Sequence, residues 1–205
     1  LTRPTAVVFD LGGVLIDWNP RHLYRKLFDD EAAMEEFLAT VCTPAWNDDL
    51  DRGRPFAEIV AELSAEQPEH RELIEAYQAR WVEMVPGAID DAVALVAEVQ
   101  AAGVPVYALS NWSPETFVLV RHRFPFLDGL DGILLSGEIG ITKPDARIFA
   151  ELCARFGLDP GATLFIDDNV ANVEGARAAG LQAVLFETAT TLRGDLSGLG
   201  VIDRG

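Results

Sequence analysis

Five side chains able to do chemistry stand at, or just beyond, the ends of apolar runs. Asp10 follows Ala6-Val7-Val8-Phe9, Ser110 follows the run ending at Leu109, Asp167 and Asp168 follow Leu164-Phe165-Ile166, and Lys143 lies beyond Gly132-Ile133-Leu134-Leu135. One carboxylate of such a set can be a nucleophile, as in aspartyl-phosphate chemistry. A lysine beside it neutralises charge and keeps it ionised, and a hydroxyl can donate to an anionic group. A carboxylate pair close to a third carboxylate suits Mg2+, a hard ion that takes oxygen ligands and shares substrate phosphate. Singly, most of these residues have ordinary explanations. Asp10 starts a turn, Ser110 and Asn111 cap a helix, and Lys143 before Pro144 is a solvated loop residue. Asp167 beside Asp168 is harder to explain that way, because like charges at the end of a buried strand repel unless a cation or donors face them.

For these groups to meet, the runs that carry them must be strands of one sheet. Short apolar runs with β-branched residues read as interior strands of a parallel sheet, whose ligand crevice lies at the strands' carboxyl ends. Strand-like runs at 6–9, 104–109, 132–135, 162–168 and 182–186 alternate with helical patterns at 88–102, from Pro114, at 145–156 and at 171–179. Gly103 and Gly180 supply helix stops. This alternation predicts an α/β fold, a doubly wound, Rossmann-like parallel sheet. Gly12 and Gly13 after Asp10 allow close backbone approaches that a Cβ would obstruct. From 17 to 86 the texture changes to helical periodicity at 21–28, 31–41, 56–65 and 69–84, with loops at 43–47 and 52–55. The expected organisation is a core of residues 1–16 and 87–205 with a small helical insertion at 17–86. Beyond Thr188 the expectation is a weak helix and then fraying.

The chain has 205 residues and a net charge of −17. That charge argues against nucleic acid or an anionic membrane as partner, both of which need clustered Lys and Arg. It does not forbid an anionic small substrate, since a site can be locally positive. Cys42 and Cys153 match no metal or disulfide spacing and read as buried thiols in a reducing compartment. No apolar run approaches a transmembrane helix, and the first strand is not preceded by a signal-peptide pattern, so the expected location is cytoplasmic.

Four segments, Val8-Phe9-Asp10-Leu11-Gly12-Gly13-Val14-Leu15, Leu109-Ser110-Asn111, Thr142-Lys143-Pro144-Asp145 and Phe165-Ile166-Asp167-Asp168-Asn169, resemble the four motifs of the haloacid dehalogenase (HAD) superfamily in order and content. The 17–86 insertion resembles the superfamily's type-one cap domain. The resemblance implies that Asp10 attacks phosphorus and forms an aspartyl-phosphate that water hydrolyses. It implies Mg2+ held by the Asp10 carboxylate, the Gly12 carbonyl and Asp168, with Asp167 in support. Ser110 and Lys143, with backbone N–H groups near Leu11 and Asn111, would hold the phosphoryl oxygens.

One position departs from the pattern. Most phosphatases of the superfamily carry a second Asp two residues after the nucleophile, as leaving-group acid and water base; here that position is Gly12. General acid–base help is worth ~10²–10⁴ in rate. Substitutes open to this chain are Asp17, a cap residue such as His22, or the substrate itself. Two branches resemble this arrangement. Haloacid dehalogenases need neither the acid nor a metal, and tend to have Ser and Asn where Asp167 and Asp168 stand. Glucose-1-phosphate-phosphatase-like members also read Asp-Leu-Gly yet keep the acidic pair. The pair therefore favours a Mg2+-dependent phosphatase acting on a small phosphorylated metabolite, such as a sugar phosphate. The alternatives are a metal-independent 2-haloacid dehalogenase using Asp10 on a halogenated metabolite, and a catalytically silent binding protein. Trp18, His22, Trp46, Asn47, Arg54 and Trp112 are candidates to face substrate, and the apolar cap surface could serve a homodimer as easily as a lid.

Overall fold

The computed structural model describes residues 3–203. In chain order its regular elements are strand β1 (Ala6–Phe9), β2 (Ile16–Asp17), helices α1 (Arg21–Tyr24), α2 (Glu31–Thr40), α3 (Pro44–Asp51), α4 (Phe56–Glu66) and α5 (Arg71–Ala79), then β3 (Gly87–Ala88) and α6 (Asp90–Ala101). They continue with β4 (Val106–Ser110), α7 (Pro114–Val120), β5 (Gly132–Leu135), α8 (Ala146–Phe156), β6 (Thr163–Asp167), α9 (Val170–Ala178), β7 (Gln182–Leu185) and α10 (Ala189–Gly198).

Five strands form one sheet in the order β5-β4-β1-β6-β7, and every pairing in it is parallel. β1 is central and fully apolar, as a strand covered on both faces must be. Its side chains alternate between two cores. Val7 and Phe9 join Leu164, Ile166 and the side chains of α6 and α10. Val8 joins Phe165, Leu109 and the side chains of α8 and α9 on the other face. The chain runs outward from β1 through β4 to β5, then returns to place β6 on the other side of β1. The gap between β1 and β6 is thus the switch point where the crevice of such a sheet opens. Asp10 and Asp167-Asp168 stand there.

β2 and β3 pair antiparallel, Ile16 with Ala88 and Asp17 with Gly87, so the helical segment leaves and returns through one short two-stranded ribbon. The sequence pattern gave no sign of this ribbon, because two residues are too few to show a period of two. Several expected elements differ. The helix expected over 21–28 ends at Tyr24 and continues as turns. The segment expected as one helix over 69–84 is α5 flanked by 3-10 turns at Pro68–His70 and Trp81–Met84. The expected loop at 43–47 is the start of α3, because Thr43 caps it by accepting the Trp46 N–H at 3.1 Å and Pro44 occupies the first turn. The helix expected beyond Thr188 is α10, which buries Leu192 and Leu196 against the core, and Val201 and Ile202 after it are buried where fraying was expected. Cys42 and Cys153 are buried free thiols. No helix among the described residues is long and apolar enough to cross a membrane.

Candidate active site

Asp10 leaves β1 with its N–H donated to the Ile166 carbonyl at 2.8 Å. Its carboxyl, 10% exposed, lies 2.8 Å from Lys143 Nζ and accepts the Leu11 N–H at 2.7 Å. Lys143 Nζ also meets Asp167 Oδ2 at 2.7 Å and donates to the Leu109 carbonyl at 3.1 Å. All three donors of the ammonium are therefore used. Asn111 fixes the lysine's backbone: its Nδ2 donates to the Lys143 carbonyl at 3.0 Å, and its Oδ1 accepts the Lys143 N–H at 2.8 Å. The Asn111 side chain is thus occupied in holding Lys143 in place, while the group expected near the phosphoryl oxygens is its backbone N–H.

The two adjacent aspartates divide in role. Asp167 is fully buried; its Oδ1 accepts from the Asn169 N–H at 2.8 Å and from Asn172 Nδ2 at 3.0 Å, and its Oδ2 from Asn172 Nδ2 at 3.1 Å and from Lys143. Those contacts use the lone pairs of both oxygens. Asp168 is exposed and presses on the turn after β1. Gly13 has φ +78°, and a Cβ there would lie 2.2 Å from Asp168 Oδ2, so glycine is required both for the backbone and for the carboxylate's approach. Asp10, Asp167 and Asp168 each bring a carboxylate oxygen within 4.8 Å of the others.

This crowding sets the protonation. Burial, then repulsion from Asp167 and Asp168, pushes Asp10 up to about 7 despite the Lys143 ammonium. Burial and Asp167 also raise Asp168. Burial alone would lower Lys143, but the two carboxylates outweigh it and raise it. Three carboxyls thus share one ammonium, an excess of negative charge that an oxygen-seeking divalent cation fits.

Asp10, Gly12, Ser110, Asn111, Lys143 and Asp168 line one cavity of about 350 Å³. Leu11, expected to contact substrate, does not line it: its side chain is fully buried and its N–H is donated to Asp10. Of the substrate-facing candidates, Trp18, Asn47 and Trp112 line the cavity, and three do not. His22 Nε2 is 2.9 Å from Asp17 Oδ1, Arg54 pairs with Glu62 and Asp49, and Trp46 packs edge-on against Tyr77. Both side chains considered as replacement acids, Asp17 and His22, therefore pair with each other outside the cavity walls.

Sequence reasoning missed several polar residues of the wall, Arg21, Asp51 and Asn172 among them. Arg21 is held by Glu35 and Asn172 by Asp167. Asp51 ends the helix whose start, at 43–47, was expected as loop. Its spacing of four from Asn47, which donates Nδ2 to Asp51 Oδ2 at 2.8 Å, was the available signal.

Residues 4–180 match the family model of haloacid dehalogenase-like hydrolases. A phosphoserine phosphatase of Thermus thermophilus is 32% identical over 168 residues, covering 75% of this chain and 63% of that protein. A sesquiterpene phosphatase of Aspergillus oryzae is 25% identical over 181 residues, 86% of each chain. An (S)-2-haloacid dehalogenase of Pseudomonas sp. is 32% identical over 83 residues, 40% of this chain and 36% of that one. Among solved structures, a HAD-like hydrolase of Porphyromonas gingivalis superposes with a TM-score of 0.72 at 25% identity, over 95% of this chain and 98% of that chain.

Proposed function

The chain belongs to the haloacid dehalogenase-like hydrolase family, and from that premise we propose that it is a Mg2+-dependent phosphatase of small phosphate monoesters. The observation that carries this reading is the unbalanced carboxylate cluster. Lys143 sets one positive charge against both Asp10 and Asp167, and Asp168 brings a further carboxylate within 4.8 Å. A metal-independent dehalogenase has no use for that added charge. The phosphatases of T. thermophilus and A. oryzae, which match over most of this chain, support the same choice.

In this reading Asp10, Asp168 and the Gly12 carbonyl hold Mg2+, and Asp167, with its lone pairs taken, positions Lys143. The ion, when bound, neutralises charge on the phosphoryl group and keeps the carboxylates ionised. Asp10 attacks phosphorus and carries the phosphoryl group as an acyl phosphate, which water releases. Lys143 and Ser110 line the same cavity; Lys143, its three donors engaged by the protein, supplies positive charge beside the phosphoryl group, and the Ser110 hydroxyl donates to a phosphoryl oxygen where charge accumulates. Residues 17–86 act as a cap: Trp18 and Asn47, with Trp81 and Leu50, wall the cavity from the helical segment and limit substrate to a small metabolite. Sugar phosphates belong in the first substrate screen.

The deciding experiment is hydrolysis of an activated aryl phosphate with Mg2+ and then with excess chelator. Turnover only with Mg2+ supports the proposal. No phosphate release, together with chelator-insensitive halide release from 2-haloacids, would support the dehalogenase reading instead. Absence of both activities would leave a silent binding protein.

A further inference from the structure

With Gly12 in place of an acid, the turn after β1 offers no carboxyl to protonate a leaving group. We propose that Asp51, at the end of α3, is the general acid and base, supplied from the helical segment; this rests on the phosphatase reading above. The chemistry balances as follows. An Asp10 oxygen bonds to phosphorus while the bond from phosphorus to the substrate oxygen breaks, and the Asp51 proton passes to that oxygen, which leaves as an alcohol. Water then attacks phosphorus, its proton goes to the Asp51 carboxylate, the bond from phosphorus to Asp10 breaks, and inorganic phosphate departs with both residues restored.

The placement of Asp51 is built rather than incidental. It lines the same cavity as Asp10, Ser110 and Lys143. Its backbone carbonyl accepts the Ser136 hydroxyl from the turn after β5. Two residues on, Gly53 (φ +87°) packs so closely on that turn that an added Cβ would lie 2.4 Å from the Gly137 carbonyl oxygen. The end of α3 is thereby pinned to the carboxyl edge of the sheet. The carboxyl is oriented as well. Tyr77, fully buried in the bundle, donates its hydroxyl to Asn47 Oδ1 at 2.8 Å, which turns the Asn47 amide N–H onto Asp51 Oδ2. Among the described residues only that oxygen is hydrogen-bonded by the protein, leaving the other available to a ligand.

The surroundings favour the protonated form needed for the first step. Burial, the Asp48 carboxylate on the same helix and Asp10 across the cavity raise the Asp51 carboxyl well above the usual range, against Lys143 and the Asn47 amide. Tyr77 is the further titratable group packed against this network, reaching it through Asn47.

The test compares kcat/KM for a simple alkyl phosphate and for 4-nitrophenyl phosphate, with Mg2+, in the wild type, Asp51→Asn and Asp51→Asn with Gly12→Asp. Only the alkyl ester needs a proton on its leaving group. Asp51→Asn is expected to lose ~10²–10⁴-fold on the alkyl ester and far less on the aryl ester. It should also build up phosphorylated Asp10, seen as a nitrophenolate burst and by mass spectrometry after acid quench. Adding Gly12→Asp should restore much of the alkyl activity, since a Cβ at Gly12 meets only the Trp18 Cβ, at 3.8 Å. Equal losses on the two esters, or no loss on the alkyl one, would overturn the assignment while leaving the phosphatase reading standing. A wild type inactive on both esters would sink that reading and this proposal with it. Should Asp51→Asn fail to fold, wild-type kcat/KM across aryl phosphates of differing leaving-group acidity decides: a nearly flat dependence supports an enzyme-borne acid at this site, and a steep one overturns it.

Discussion

Replacing Asp10 by asparagine should abolish turnover and, with chelator at alkaline pH, make the protein more stable. The reasoning starts from burial: the ionised Asp10 carboxylate faces two other carboxylates in a site with one ammonium, and its pKa rises from 3.8 to about 7. The native state therefore holds a proton more tightly than the unfolded chain between roughly pH 4 and 7, so stability falls as pH rises through that window. Above it the full penalty is present, about 4 kcal/mol at ~1.4 kcal/mol per pH unit. Asparagine has nearly the same shape and no charge, so the variant escapes the penalty. The gain should be a few kcal/mol at pH 8, on the order of 10 °C in Tm for a chain of this size, and should vanish near pH 4. Mg2+ should reverse the order, stabilising the wild type by about 2.7 kcal/mol at a hundredfold excess over Kd, and the variant much less. Thermal unfolding at pH 4 and pH 8, with chelator and with Mg2+, measures all of this. A variant less stable than the wild type in chelator at pH 8, or a difference indifferent to pH, would refute the account of Asp10 as a buried charge awaiting a cation.

Lys143→Met removes the counter-charge of two buried carboxylates, Asp10 and Asp167, each within 2.8 Å of Nζ. Stability should fall by ~3–5 kcal/mol at neutral pH and recover in part on acidification as the carboxyls protonate, which denaturant titration at two pH values will show. Gly13→Ala places a Cβ at φ +78° where Asp168 now sits. Mg2+ affinity by calorimetry should drop at least tenfold, with ~1–3 kcal/mol lost from backbone strain; unchanged affinity would argue that Asp168 is not a ligand.

Much of this was legible in the residues themselves. β1, β4, β5 and β6 are continuous apolar runs because both faces of a parallel sheet are covered, and their terminal polar residues mark the crevice whatever the rest of the chain does. Asp10, Ser110, Lys143 and Asp168 could therefore be picked out together, and the conflict of Asp167 beside Asp168 already asked for a cation or donors. Their division of labour was not legible. Asp167 and Asp168 are neighbours of one type, and only packing gives one to Lys143 and Asn172 and the other to the Gly13 turn. Asn111 drew attention through its backbone N–H, and nothing local shows that its side-chain amide closes on a lysine backbone 32 residues away. The helical segment was least readable, because short helices there carry weak periodicity and their ends are set by contacts across the bundle. Thr43-Pro44 reads equally as loop or helix start, and the spacing of Asp51 from Asn47 says nothing of its place at the site, which Tyr77, Ser136 and Gly137 set by fixing the end of that helix over the sheet. Local patterning determined which strands exist and what they end in; which side chains face one cavity was decided by long-range closure, where each contact depends on all the others.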